Sequence, residues 1–112
     1  MRIIDDSDGP EERLADHFLG RPGVERKKAF GRSALTINGK IFVIFRLGEI
    51  VVKLPVETGA PLIESGEAGQ FEPGPGRYMK EWFTIGPAID ESRWIEFSET
   101  AFAYVQELLN KN

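Results

Sequence analysis

Three features of the sequence predict an α+β domain. Apolar residues alternate or run unbroken over closely spaced segments 33–37, 40–46 and 50–54, as they do in strands. Asn38-Gly39 joins the first two segments, and this residue pair is favoured in a two-residue type I′ hairpin turn. Near the two ends of the chain, apolar residues recur at helical spacing: Leu14 and Phe18, then Ala101, Val105 and Leu108. The architecture expected is a two-layer sandwich, an antiparallel sheet of about four to five strands with N- and C-terminal helices packed on one face. At 112 residues the chain suits one domain with one core.

Residues 1–9 read as a flexible acidic tail and 10–112 as a single domain. Ser7 or Asp8 is placed to cap a first helix, whose opening turn holds Pro10, Glu11 and Glu12. Proline loses nothing there, because its missing N–H would be unpaired, and acids suit the positive helix end. Gly20 and Pro22-Gly23 stop that helix. Residues 24–30 mix charge with Val24, Ala29 and Phe30, and read as a loop or a last helical turn. The hairpin follows, and its return strand 40–46 is apolar on both faces, so both faces need cover. Leu47-Gly48-Glu49 turns the chain into strand 50–54, which Pro55 ends.

Segment 57–67 is expected to hold one or two helical turns beginning near Pro61. Residues 70–77, with Pro73, Gly74, Pro75 and Gly76, read as a loop anchored by Phe71. A fourth strand is expected over 78–85, with Met79, Phe83 and Ile85 on one face. Segment 88–97 is open between a helical turn and an extended piece. The last helix is expected over 100–109, with Ser98 as its cap.

Phe30-Gly31 precedes Leu35-Thr36-Ile37-Asn38-Gly39-Lys40-Ile41-Phe42, and the next strand ends in Val52-Lys53-Leu54. The 62–66 region, the glycine-rich loop and strand 78–85 follow. In this order the chain resembles the N-terminal domain family of the competence regulator TfoX and the related MmcQ/YjbR-like proteins, over roughly residues 10–109. In that family a Phe-Gly pair precedes a hairpin whose turn is often Asp-Gly or Asn-Gly, and Phe30-Gly31, Asn38-Gly39 and Phe42 match. The resemblance implies a compact α+β fold, related in layout to type III secretion chaperones, and a link to regulation of competence in some bacteria. The full regulator has a further C-terminal domain resembling helix-hairpin-helix modules, which these 112 residues do not include. The resemblance carries no catalytic residue across.

The chemistry-bearing residues are few. The formal net charge is -4, and a protein that holds nucleic acid through its phosphates is usually basic. Absence of cysteine removes disulfides, thiolate nucleophiles and Cys-based zinc sites. His17, the single histidine, is expected at a helix surface without ligand partners, and no carboxylate spacing makes an EF-hand. The acidic run Asp5, Asp6, Asp8, Glu11 and Glu12 reads as a solvated helix start. Glycines 69, 74 and 76 precede a strand and lack a Gly-Lys-Ser/Thr ending, so they are turn residues and not a phosphate cradle. No catalytic residue, metal or cofactor is expected.

Two groups of residues are candidates for binding. Arg21, Arg26, Lys27, Lys28 and Arg32 form a local basic patch suited to phosphate or nucleic acid. Counting parity along the strands, Phe42, Ile44, Tyr78 and Trp82 share a second, apolar sheet face, a candidate interface or groove. A second copy of the chain, the loop around Phe71 or a small molecule would each cover it. The expected function is a non-enzymatic regulatory or protein-interaction domain, partnered by a homodimer mate or a regulatory protein. The alternatives are a DNA-associated transcription regulatory factor using the basic patch, or a small-molecule sensor. No membrane partner is expected, and the expected location is the cytoplasm, since the N-terminus has no signal-like apolar run.

Overall fold

The computed structural model describes residues 9–29, 31–46, 48–73, 75–76 and 79–111. The element order is α1 (Pro10–Phe18), β1 (Val24–Ala29), β2 (Arg32–Ile37), β3 (Lys40–Arg46), β4 (Glu49–Lys53), α2 (Val56–Ser65), β5 (Gly69–Gln70), β6 (Trp82–Ile85) and α3 (Glu91–Asn110). The strands form one six-stranded sheet in the order β1-β2-β3-β4-β6-β5, with every neighbouring pair antiparallel. The helices lie on one face, so the fold is the expected two-layer α+β sandwich with a wider sheet.

Local chemistry explains most elements. Gly9 is the N-cap of α1 and Pro10 opens its first turn, while Ser7 and Asp8, the expected caps, lie outside the described residues. Leu14, Ala15 and Phe18 are its buried stripe. Asn38 and Gly39 have φ of 48° and 84°, both positive as a type I′ turn requires. α2 ends at Gly66 in the left-handed conformation, where the Gly66 and Glu67 N–H groups donate to Ile63 and Leu62 carbonyls. It begins at Val56, earlier than expected, and contains Pro61 in its interior.

Two segments correct the sequence reading. Residues 24–29 are neither loop nor helical turn but the edge strand β1, paired with β2 from Val24↔Ile37 to Ala29↔Arg32. Its charged residues Glu25, Arg26, Lys27 and Lys28 suit an edge, where charge discourages pairing with another chain. The last helix starts at Glu91, so Ser98 is no cap: it lies buried within α3, and its hydroxyl has no hydrogen-bond partner among the described residues. Trp94, Phe97, Ala101 and Val105 form one buried stripe along this 20-residue helix. The Trp94 indole N–H fixes the helix start by donating to the Gly86 carbonyl at 3.1 Å.

The core has two parts, one on each sheet face. The larger lies under the helices and joins Leu14 and Phe18 to Leu35, Phe45, Val52, Phe83, Trp94 and Phe97, among others. The smaller lies on the opposite face and comprises Ala34, Ile44, Val51 and Phe71, flanked by Ile41, Met79 and Trp82.

A β-bulge decides which side chains go where. The β2–β3 register runs Leu35↔Val43 and then Thr36↔Ile41, which leaves Phe42 as the extra residue. One inserted residue breaks the two-residue alternation. Phe42 and Val43 therefore both enter the helix-side core, while Ile41 and Ile44 face the other way. Phe42 packs edge-on against Phe18 and Phe102, with ring centroids 5.1 and 5.3 Å away.

Candidate functional site

The apolar face inferred from strand parity does not exist as a single surface. Phe42 is fully buried beneath the helices, which corrects its assignment to that face. Ile44 and Trp82 do share the opposite face, and Tyr78 lies outside the described residues. Met79, expected beside Phe83, instead packs with Trp82, because β6 begins only at Trp82 and strand parity does not extend back to 79.

The segment after β5 covers the centre of this face. Phe71 is buried against Ala34, Ile44 and Val51, so Ile44 is only 2% exposed. The Gln70 side-chain amide holds the segment by donating to the carbonyls of Met79 (2.6 Å) and Trp82 (3.0 Å). The Phe71 N–H donates to the Trp82 carbonyl, and the Met79 N–H to that of Phe71. Of the three covers considered, the loop around Phe71 occupies the centre of the face.

The basic patch is dispersed by ion pairing. Arg26 reaches Glu11 and Glu12 at 2.7 and 2.8 Å, donates to Ser33 and lies over the Phe45 ring. Arg21 binds Glu99 and stacks on Phe18 and Phe102. Lys27 sits 3.2 Å from Glu25. Lys28 and Arg32 are exposed cations at the far end of the β1–β2 pair. The carboxylates Glu11 and Glu12 of the acidic run thus fasten α1 to the sheet edge.

His17 is at the surface as expected, but it has a partner. Its Nε2 lies 2.7 Å from Glu99, the same carboxylate that binds Arg21. Arg21 first, and His17 after it, hold the Glu99 carboxyl below its ordinary pKa. Arg13 does the same to Glu91 through a bidentate pair at 2.8 Å. Both carboxylates are on α3 and their partners on α1 or just after it, so this cluster is a clasp between helices. Among the described residues no group of three or more His, Asp or Glu could hold a metal ion.

The more suggestive geometry is at one end of the sheet. β3 starts there at Lys40, β4 ends there at Lys53, and β6 starts there at Trp82, directly opposite Lys53 in register. The final turns of α3 reach the same end. Between them lies an open cleft of about 440 Å³. Its apolar wall is Ile41, Val105, Leu108 and Leu109, and Lys40, Lys53 and Trp82 complete it. Leu108 is a large apolar side chain left 36% exposed at the rim.

The electrostatics of the cleft follow from its neighbours. Lys53 Nζ lies 5.5 Å from the centre of the Trp82 ring and 3.9 Å from Glu81, too far for a hydrogen bond to that carboxylate. Glu81 instead accepts a hydrogen bond from the Tyr104 hydroxyl on α3. That bond to the carboxylate, with burial and the negative charge around it, pushes the Tyr104 pKa up to about 12. Lys40 is exposed and makes no ion pair among the described residues. Sequence reasoning selected Trp82 but neither lysine, because strand ends far apart in the chain meet only in the folded sheet.

Among the described residues no helix is long and apolar enough to cross a membrane. Comparison with family models, curated proteins and solved structures finds no match to this chain.

Proposed function

We propose that this domain is a non-enzymatic, cytoplasmic regulatory module that senses a small molecule in the cleft between the strand ends and the last turns of α3. The observation that carries this reading is the cleft itself: at about 440 Å³ it falls in the size range of small-molecule sites, and it joins an apolar wall to a few polar groups and an indole. The resemblance to the TfoX N-terminal and MmcQ/YjbR-like family supports the regulatory setting. A protein-interaction or homodimer role would have used the apolar second face, but Phe71 fills its centre. A DNA-associated role would have used the basic patch, but carboxylates occupy Arg21 and Arg26.

A fragment screen read by amide and indole NMR shifts tests the proposal. Binders are expected to converge on Trp82, Leu108 and Leu109. Absence of binders, or shifts scattered over the surface, would overturn it.

A further inference from the structure

We infer that the ligand of this cleft is an amphipathic carboxylate: an apolar body carrying one anionic head. The inference rests on the proposal that the cleft is a binding site, and adds the chemical class of what enters it.

The charge of the cleft sets the head group. Two ammonium groups, Lys40 and Lys53, line it, and no carboxylate does. Glu81, the ion-pair partner of Lys53 at 3.9 Å through one carboxylate oxygen, accepts the Tyr104 hydroxyl with the other. The Lys53 ammonium therefore has donors that Glu81 does not fill, and Lys40 has no ion partner among the described residues. The C-terminal end of α3 opposes an anion with roughly half a negative charge, which two whole positive charges outweigh. A carboxylate in the cleft would meet an ammonium group on its lining and receive a charge-assisted hydrogen bond there.

The walls set the body. Ile41, Val105, Leu108 and Leu109 offer aliphatic contact, and the Trp82 ring offers a flat face. An inorganic anion would leave this wall unused, and an uncharged hydrocarbon would leave both ammonium groups unmatched. A molecule with both parts uses the whole cleft and covers the exposed Leu108.

The test compares octanoate, octanol and octylammonium, each below its micelle-forming concentration, titrated into the full chain and followed by NMR. Octanoate is expected to shift the Trp82 indole and the Lys40, Ile41 and Leu109 amides. It should bind at least about tenfold more tightly than the other two, the worth of one hydrogen bond to a charged group. Lys40→Gln and Lys53→Gln should each weaken octanoate and leave octanol unchanged. Lys40 is exposed at a turn, so its variant keeps the fold and serves as the safer of the pair. Octanol or octylammonium binding at the same residues as tightly as octanoate would overturn the carboxylate class and leave the cleft proposal standing. No shift at the cleft with any of the three would overturn both.

Discussion

Gly59 is the position where local propensity and tertiary packing disagree most sharply. It lies buried inside α2, and a Cβ there would sit 2.1 Å from Cζ of Phe83 and 2.3–2.4 Å from the two Cε atoms. Carbon atoms in contact prefer about 3.5–4.0 Å, so the ring or the helix must retreat by more than ~1 Å. The ring has little room, because Phe83 is 1% exposed and its strand is held between β4 and β5. Overpacking costs about 1–3 kcal/mol in general and about 2–3 kcal/mol for so deep an overlap, of which the better helix propensity of alanine returns about 1 kcal/mol. Gly59→Ala should therefore lose about 1–2 kcal/mol, lowering the thermal midpoint by roughly 4 °C or more per kcal/mol in a domain of this size. Urea and thermal unfolding followed by circular dichroism measure both. Gly69→Ala is the control, since a Cβ there meets nothing within 4 Å. Phe83→Leu should shrink the Gly59→Ala penalty in a double-mutant cycle. A Gly59→Ala protein as stable as the parent, or a penalty indifferent to residue 83, would refute the packing argument.

Other outcomes follow from the same geometry. Ser98→Ala should be neutral or stabilising by about 1 kcal/mol in urea unfolding, because it removes a buried hydroxyl without a partner among the described residues; a clear loss of stability would mean the hydroxyl is satisfied. The Glu99 carboxyl has its pKa lowered in the fold, so its contribution is complete above the unfolded carboxylate value of about 4.3 and is lost as pH falls through the folded value. Glu99→Gln should flatten the fall in stability between about pH 5 and pH 3, by no more than about 1 kcal/mol for so exposed a pair; an unchanged slope would remove Glu99 from the acid response. Phe42→Ala should cost roughly 3–5 kcal/mol in thermal or urea unfolding, as loss of a fully buried ring does, and near-parental stability would contradict the bulge. Light scattering should return the monomer mass of 12.6 kDa, since Phe71 already covers Ile44; twice that mass would restore the homodimer reading.

The candidate site was legible in one residue and hidden in the rest. Trp82 was singled out by strand parity, as an aromatic side chain on the face opposite Phe83 and Ile85. Phe42 was misassigned because parity counting assumes an unbroken pleat, and a single inserted residue moves a side chain to the opposite face. Lys40 and Lys53 gave no signal, since each reads as an ordinary strand-end charge until β3 and β4 align. The α3 residues Val105 and Leu108 were visible as a helical stripe, but not as the wall of a cleft.

What the sequence determined by itself is the part governed by near neighbours. Asn38-Gly39 specifies its turn through the positive φ those residues tolerate, and the alternating segments specify strands that follow one another as a meander. The helical spacing of Ala101, Val105 and Leu108 specifies a terminal helix, and Trp94 and Phe97 already carried the earlier start that only the full stripe reveals. What tertiary structure alone decided depends on partners far along the chain. β1 is a strand because β2 offers it a ladder, although its own residues are charged and lack alternation. The bulge, the folding of Phe71 over the second face and the meeting of Lys40, Lys53 and Trp82 all arise from register between strands. Register is a property of pairs, and no single segment of sequence contains it.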